Sequence, residues 1–202
     1  AEDGDLILIV ADTRRKPALE AIGTLRLELG RELDLVDKSA HKLLWVVDFP
    51  LFQWDDETQR FYAEHHPFTS PKASDIALLD SDPAAARADC YDLVWNGNEV
   101  GSGSIRIHDS DLQSKIFEVL GLSKEEIQEK FGFLIDAFRY GAPPHGGMAL
   151  GLDRIITILM GIQSIREVIA FPKTNSALSL MDRSPSTVSE EQLKELHISL
   201  RK

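Results

Sequence analysis

Cysteine is almost missing from this chain of 202 residues, with Cys90 the single example. That excludes an internal disulfide and a zinc site built on several thiolates, and it favours a reducing, cytoplasmic setting. Basic charge is also scarce. Lys and Arg number 22 against 33 Asp and Glu, a net charge of −11, so the broad cationic footprint of a nucleic-acid-binding domain is absent and any such contact must be local or lie elsewhere. No apolar run approaches the ~18–20 residues that span a bilayer, and no signal peptide is evident. Only 13 Gly and 9 Pro occur, without repeats or low-complexity tracts, which excludes collagen-like and disordered classes. With 43% hydrophobic and 27% charged residues, the length suits one ordinary domain, or one domain and a piece of another. The opening Ala1-Glu2-Asp3-Gly4 in place of Met leads us to expect a segment of something longer.

Leu6-Ile7-Leu8-Ile9-Val10 reads as a buried strand. Lys16-Pro17 then opens a helix with apolar positions at Ala18, Ile22, Leu25 and Leu29, closed by Gly30. A polar stretch over residues 34–42 and a composition shift mark a domain boundary near 40, dividing residues 1–40 from 41–202. A strand over residues 43–49 ends at Pro50, and the 54–58 stretch turns between two strands. Asn96-Gly97 between two apolar runs is the strongest hairpin signal in the chain. Helices follow at about 111–120 and after the capping box Ser123-Lys124-Glu125-Glu126. Leu152, Ile155, Ile156, Leu159 and Met160 have helical spacing ahead of Gly161 and predict a buried helix. Residues 168–171 read as a short strand, and Ser189-Glu190-Glu191-Gln192 caps a last, polar helix.

The hairpin carries the first chemical constellation. With Asn96-Gly97 as the central turn residues, Val94 faces Glu99, and Asp92 lies on the same face as a diagonal neighbour. Two carboxylates there offer hard oxygen ligands for Mg²⁺; the bland reading is two solvated charges. Arg106 would point the other way on an unbroken strand, so a bulge in Gly101-Ser102-Gly103-Ser104 is expected to swing it onto the carboxylate face. Its guanidinium then either grips an anionic ligand or pairs internally with Asp92 or Asp109. His65-His66-Pro67 is a polar loop, or a turn that clamps an anionic substrate and screens it from water. Arg154, in the first turn of the 152–160 helix but off its apolar stripe, either snorkels or meets a bound anion with the free N–H groups.

Gly146-Gly147-Met148-Ala149-Leu150-Gly151-Leu152-Asp153-Arg154 resembles motif 3 of the class II aminoacyl-tRNA synthetases. Together with Phe61 to Thr69, Asn96 to His108 and Gly141-Ala142-Pro143-Pro144-His145, it makes nearly the whole chain similar to the bacterial-type aspartyl-tRNA synthetases. The resemblance implies an α/β (α+β) fold, a mostly antiparallel sheet flanked by helices and incomplete in this chain. Residues 1–40 would then end the insertion domain and residues 41–202 form the C-terminal part of the catalytic domain. It also implies aspartate–tRNA ligation, in which ATP activates L-aspartate to the adenylate and tRNA(Asp) accepts it. Arg106, with His65 and His66, would bind aspartate; Glu99, Gly151, Leu152, Asp153 and Arg154 would bind ATP; Asp92 and Glu99 would hold Mg²⁺; and Arg106, Arg154 and Glu99 would carry catalysis. Motifs 1 and 2 have no counterpart here, so the resemblance implies a homodimer formed through regions absent from this chain and a segment inactive alone. Asparaginyl and lysyl relatives fit an anion-gripping Arg106 less well, and a non-catalytic paralogue acting as a binding module is the alternative from another class.

Overall fold

An apolar run becomes a strand only where a neighbour takes its backbone hydrogen bonds, because unpaired N–H and C=O groups otherwise remain in water. The computed structural model describes residues 1–201 and divides the chain into two units, Ala1–Lys42 and Leu43–Lys202. In the first unit the run at residues 6–10 has no such neighbour among the described residues. It holds no regular structure, and Leu6 and Ile9 are 82% and 85% exposed, so the expected buried strand does not form. Helix α1, Arg15–Glu32, continues past Gly30. Its end is a Schellman motif in which Asp34 takes the left-handed conformation (φ 49°), and Leu35 N–H donates to Gly30 O at 2.9 Å while Asp34 N–H donates to Arg31 O at 3.1 Å.

The second unit contains β1 (Leu43–Val47), β2 (Phe52–Asp55), β3 (Arg60–Ala63), a single turn α2 (Leu78–Ser81), β4 (Cys90–Trp95) and β5 (Asn98–Ile105). These are followed by α3 (Ser110–Val119), α4 (Lys124–Phe138), β6 (Gly146–Leu150), α5 (Leu152–Leu159) and α6 (Glu190–Glu195). One sheet has the order β1-β4-β5-β6 and every pairing is antiparallel, while β2 and β3 form a separate hairpin. This is the mixed, antiparallel architecture expected. The core gathers Leu51, Phe52, Leu79, Ala86, Ile107, Ile116 and Leu120, so it lies between the β2–β3 hairpin, the strand ends and α3. Both serine caps form as expected: Ser123 accepts from Glu126 N–H and Ser189 from Gln192 N–H.

Two expectations fail for one physical reason. Helix α5 packs on β5 and on the turn Ile165–Glu167, and nothing among the described residues covers the rest of its apolar stripe. Leu159 and Met160 each remain 64% exposed. Residues 168–171 form no strand, since none of the sheet's strands pairs with them.

The sheet is tightest where β5 passes between β4 and β6. A Cβ at Gly103 would collide with the Gly147 carbonyl oxygen, and it would lie 2.6 Å from the Tyr91 ring and 3.0 Å from Met148 Cα, whereas one at Gly147 would meet nothing within 4 Å. Gly103→Ala is therefore expected to destabilise the fold by roughly 1–3 kcal/mol through backbone displacement, while Gly147→Ala stays within about 0.5 kcal/mol. Chemical denaturation of the two variants side by side checks the contrast.

Candidate active site

The turn residues Asn96 (φ 48°) and Gly97 (φ 81°) both adopt the left-handed region, as a type I′ hairpin requires. Trp95 consequently pairs with Asn98 and Val94 with Glu99, but Leu93 pairs with Gly101. Val100 is thus the extra residue. The bulge falls one position before the glycine-serine stretch in which it was expected, and the Val100 side chain is buried at 1% exposure. Beyond it Asp92 faces Ser102, so Ser104 and Arg106, two and four residues on, share the face of Asp92 and Glu99.

On that face Arg106 meets the histidine turn. Its N–H donates to His145 O at 2.9 Å, and it forms an isolated antiparallel bridge with Thr69. Of the two fates open to its guanidinium, the internal ion pair is not made: among the described residues no carboxylate pairs with Arg106. Asp109 instead caps α3, accepting from Leu112 N–H at 2.8 Å. Arg106 Nη1 is buried without a hydrogen-bond partner. An unsatisfied buried donor costs roughly 1–3 kcal/mol, and more when charged.

Arg106, His65 and His66 line one cavity of about 630 Å³, with Glu64, Thr69, Cys90, Ser104 and His145 also on its wall. The size is that of a small-molecule site. His65 stands edge-on to Phe49, ring centroids 4.8 Å apart. His66 Nδ1 accepts from Phe68 N–H at 3.2 Å, which leaves Nε2 to carry the proton of the neutral ring. Burial, and secondarily the Arg106 charge, hold the His66 pKa below its ordinary value. The Cys90 thiol is pushed up to about 11 by burial first, then by Asp92 and Asp89, so it is neutral at physiological pH.

A second cavity, about 300 Å³, is lined by Glu99, Gly101, Gly151, Asp153 and Arg154. Ser102 and Ala149 line both cavities and face each other across β5 and β6, so the two hollows are contiguous. Arg154 Nη1 donates to Glu99 O at 2.7 Å and lies 3.8 Å from Glu99 Oε1. Both side chains are about half exposed, and such a pair contributes only ~0–1 kcal/mol; an incoming anion or cation can replace it. Asp92 lines neither cavity, and nor does Leu152, which is 66% exposed. Among the described residues no cluster of three or more His, Cys, Asp or Glu could hold a metal ion. Sequence reasoning missed Thr69, Ser104 and Gln113. Gln113 left a signal, because it heads the helical stripe Gln113, Ile116, Phe117, Leu120 as its one polar member.

Residues 11–175 match the family described as tRNA synthetases class II (D, K and N). The chain belongs to that family. It is 58% identical over 200 residues to a protein named aspartate–tRNA ligase from Porphyromonas gingivalis, and 56% identical over 200 residues to one named aspartate–tRNA(Asp/Asn) ligase from Caldanaerobacter subterraneus subsp. tengcongensis. Each match covers 99% of this chain but 34% of the relative, so the chain spans about a third of the length of these synthetases. A solved aspartyl-tRNA synthetase from Entamoeba histolytica aligns with a TM-score of 0.51 and 26% identity, over 87% of this chain and 29% of that one. No helix among the described residues is long and apolar enough to cross a membrane.

The depressed His66 pKa has a definite sign. The folded state binds that proton less readily than the unfolded chain, so the contribution to stability is fully present above the ordinary value near 6.5 and is lost as pH falls through the folded value. NMR titration of His66 is expected to give a pKa below the ordinary value. In Arg106→Leu it moves upward without reaching that value, because burial is the larger cause.

Proposed function

We propose that this chain supplies the amino-acid pocket and part of the nucleotide site of an aspartate–tRNA ligase. The observation that carries the reading is Arg106, a guanidinium on the wall of a small-molecule cavity that forms no ion pair with any carboxylate among the described residues. A planar donor fork left unpaired suits bidentate capture of the aspartate side-chain carboxylate. An amide would leave that cation without a counter-charge and an ammonium would be repelled, mismatches that reach ~10⁴-fold at buried polar sites. His65 and neutral His66, on the same wall, close over the substrate and exclude water without adding a second charge.

ATP belongs in the contiguous hollow. Gly151 lets phosphate approach the backbone at the start of α5, and Arg154 is free to exchange its weak contact with Glu99 for phosphate oxygens. Leu152 and Asp153 complete that segment. Glu99, on the wall of this hollow, and Asp92, on the same face of the hairpin but outside both hollows, are the hard oxygen donors that would hold Mg²⁺ together with phosphate; such an ion would offset charge developing on the phosphate oxygens. The aspartate α-carboxylate oxygen attacks the α-phosphorus, the bond to the bridging oxygen breaks, and pyrophosphate leaves with its electron pair. A hydroxyl of the terminal adenosine of tRNA(Asp) then attacks the adenylate carbonyl and AMP departs. No side chain here needs to act as a nucleophile, and the thiol on the wall is protonated. Catalysis rests on positioning and charge stabilisation, with Arg106, Arg154 and Glu99 as the groups in contact with the reactants. Dimerisation and tRNA binding fall to the rest of the family's length.

Pyrophosphate exchange tests the reading in a polypeptide of the relatives' full length carrying this sequence. Exchange is expected with aspartate but not with asparagine or lysine. Arg106→Leu should abolish aspartate use while ATP binding persists, and the 202-residue chain alone should give no exchange. An unchanged aspartate KM in Arg106→Leu would remove that residue's role. No exchange from a well-folded full-length protein would favour a binding module over an enzyme.

A further inference from the structure

Gln113 lies in the first turns of α3 and is wholly buried at 0% exposure, although glutamine is mostly a surface residue. Its neighbours on the helical stripe, Ile116 and Phe117, are each 1% exposed and apolar. It makes one side-chain hydrogen bond: Nε2 donates to Pro67 O at 2.9 Å, across 46 residues of sequence. Its Oε1 is buried with no partner. As a core residue Gln113 is a poor choice, because an apolar side chain of equal volume would avoid the unsatisfied oxygen. What it does is hold the carbonyl of the His65-His66-Pro67 turn.

The rest of the turn's moorings show why this one matters. Downstream, residues 68–70 are zipped to the strand end, with Ile107 N–H donating to Phe68 O and Ser70 N–H to Ile105 O, both at 2.9 Å. The Phe68 ring is seated against Phe117 and Phe131. Upstream, Glu64 N–H donates to Leu51 O at 3.1 Å. Between those two anchors the turn is closed by its own chain, Thr69 N–H donating to His66 O at 3.0 Å and Phe68 N–H to His66 Nδ1 at 3.2 Å, and the bond from Gln113 is the one hydrogen bond from a distant element that reaches residues 65–67 among the described residues. The same continuous segment, residues 106–113, carries Arg106 at one end and Gln113 at the other. One short piece of chain, an irregular stretch over residues 107–109 leading into α3, therefore carries both the anion-binding guanidinium and the tether of the histidine turn.

We propose that Gln113 is a positioning residue for the amino-acid substrate: by tethering the Pro67 carbonyl it sets His65 and His66 at the working distance from Arg106. This rests on the proposed aspartate site and adds to it a residue that touches no reactant. A residue that merely fills the core and one that sets the turn differ in what its replacement does.

In the full-length polypeptide, Gln113→Met keeps the volume, removes the donor and also removes the unpartnered oxygen. Its aspartate KM in pyrophosphate exchange is expected to rise roughly five- to tenfold, the equivalent of one net hydrogen bond. Its ATP KM should stay within twofold and its melting temperature should change little, because loss of the unpartnered Oε1 offsets the Pro67 carbonyl left without its donor. Gln113→Asn keeps an amide one methylene short of Pro67 and should raise the aspartate KM in the same selective way, which covers the case in which the methionine variant does not fold. An aspartate KM within twofold of the unsubstituted protein in a folded variant overturns the proposal. So does a parallel rise in both KM values with a lowered melting temperature, the behaviour of a structural residue. If the unsubstituted protein shows no aspartate-dependent exchange, the functional reading itself falls and this inference falls with it. Exchange that depends on Arg106 but ignores Gln113 overturns this inference alone.

Discussion

One residue of excess length in β5 governs everything on the working face of the sheet. Side chains alternate along a strand, so a register change of one moves every later residue to the opposite face. Val100 supplies that change. Its own side chain turns to the buried side, where removal from water stabilises it by about 1.5–3 kcal/mol, and this favours the bulged register over a regular ladder. Without it Ser102, Ser104 and Arg106 would leave the face of Asp92 and Glu99. The cation and the carboxylates would then be separated by the thickness of the sheet.

The electrostatic character of the two hollows follows from this placement. The molecule carries a net charge of −11, yet the larger cavity presents an arginine with no internal counter-ion beside a histidine kept neutral by burial and by that same arginine. Nearby, Asp92 and Asp89 join burial in keeping Cys90 protonated. The cavity thus holds one cation without an ion pair among acidic neighbours, Glu64 on its own wall and Asp92 and Asp89 close by. That guanidinium is the group there which an entering anion can pair with. The adjoining hollow is bordered by a half-exposed contact between Arg154 and Glu99, which an entering ion can replace.

Close approach of backbones is the second requirement. At Gly103 the spacing between β5 and its neighbours leaves no room for a Cβ, and Gly103, Gly146 and Gly147 all line the larger cavity. Small residues here let the sheet close around the site and let a ligand reach its main chain. The histidine turn is then suspended over that floor by the bond from Glu64 N–H to Leu51 O upstream, the ladder at residues 68–70 and the Phe68 ring in its aromatic seat downstream, and the amide of Gln113 on Pro67 O.

By itself the sequence determined whatever depends on neighbours within one turn or one strand. The Asn96-Gly97 turn, the pairing of Val94 with Glu99, the caps at Ser123 and Ser189, and the family motif around Arg154 all rest on local backbone preference or on fixed spacing. The failures mark the opposite case. Leu6 to Val10, the outer stripe of α5 and residues 168–171 show apolar patterns that promise burial, but a pattern names no partner, and burial needs one. Tertiary structure alone decided that the bulge sits at Val100 and that Arg106 faces the cavity without an ion pair. It alone decided, too, that Gln113 reaches across 46 residues to Pro67, because each of these depends on which distant segment arrives opposite. Periodicity fixes the face a side chain belongs to; only the assembled sheet and helices fix what stands across from it.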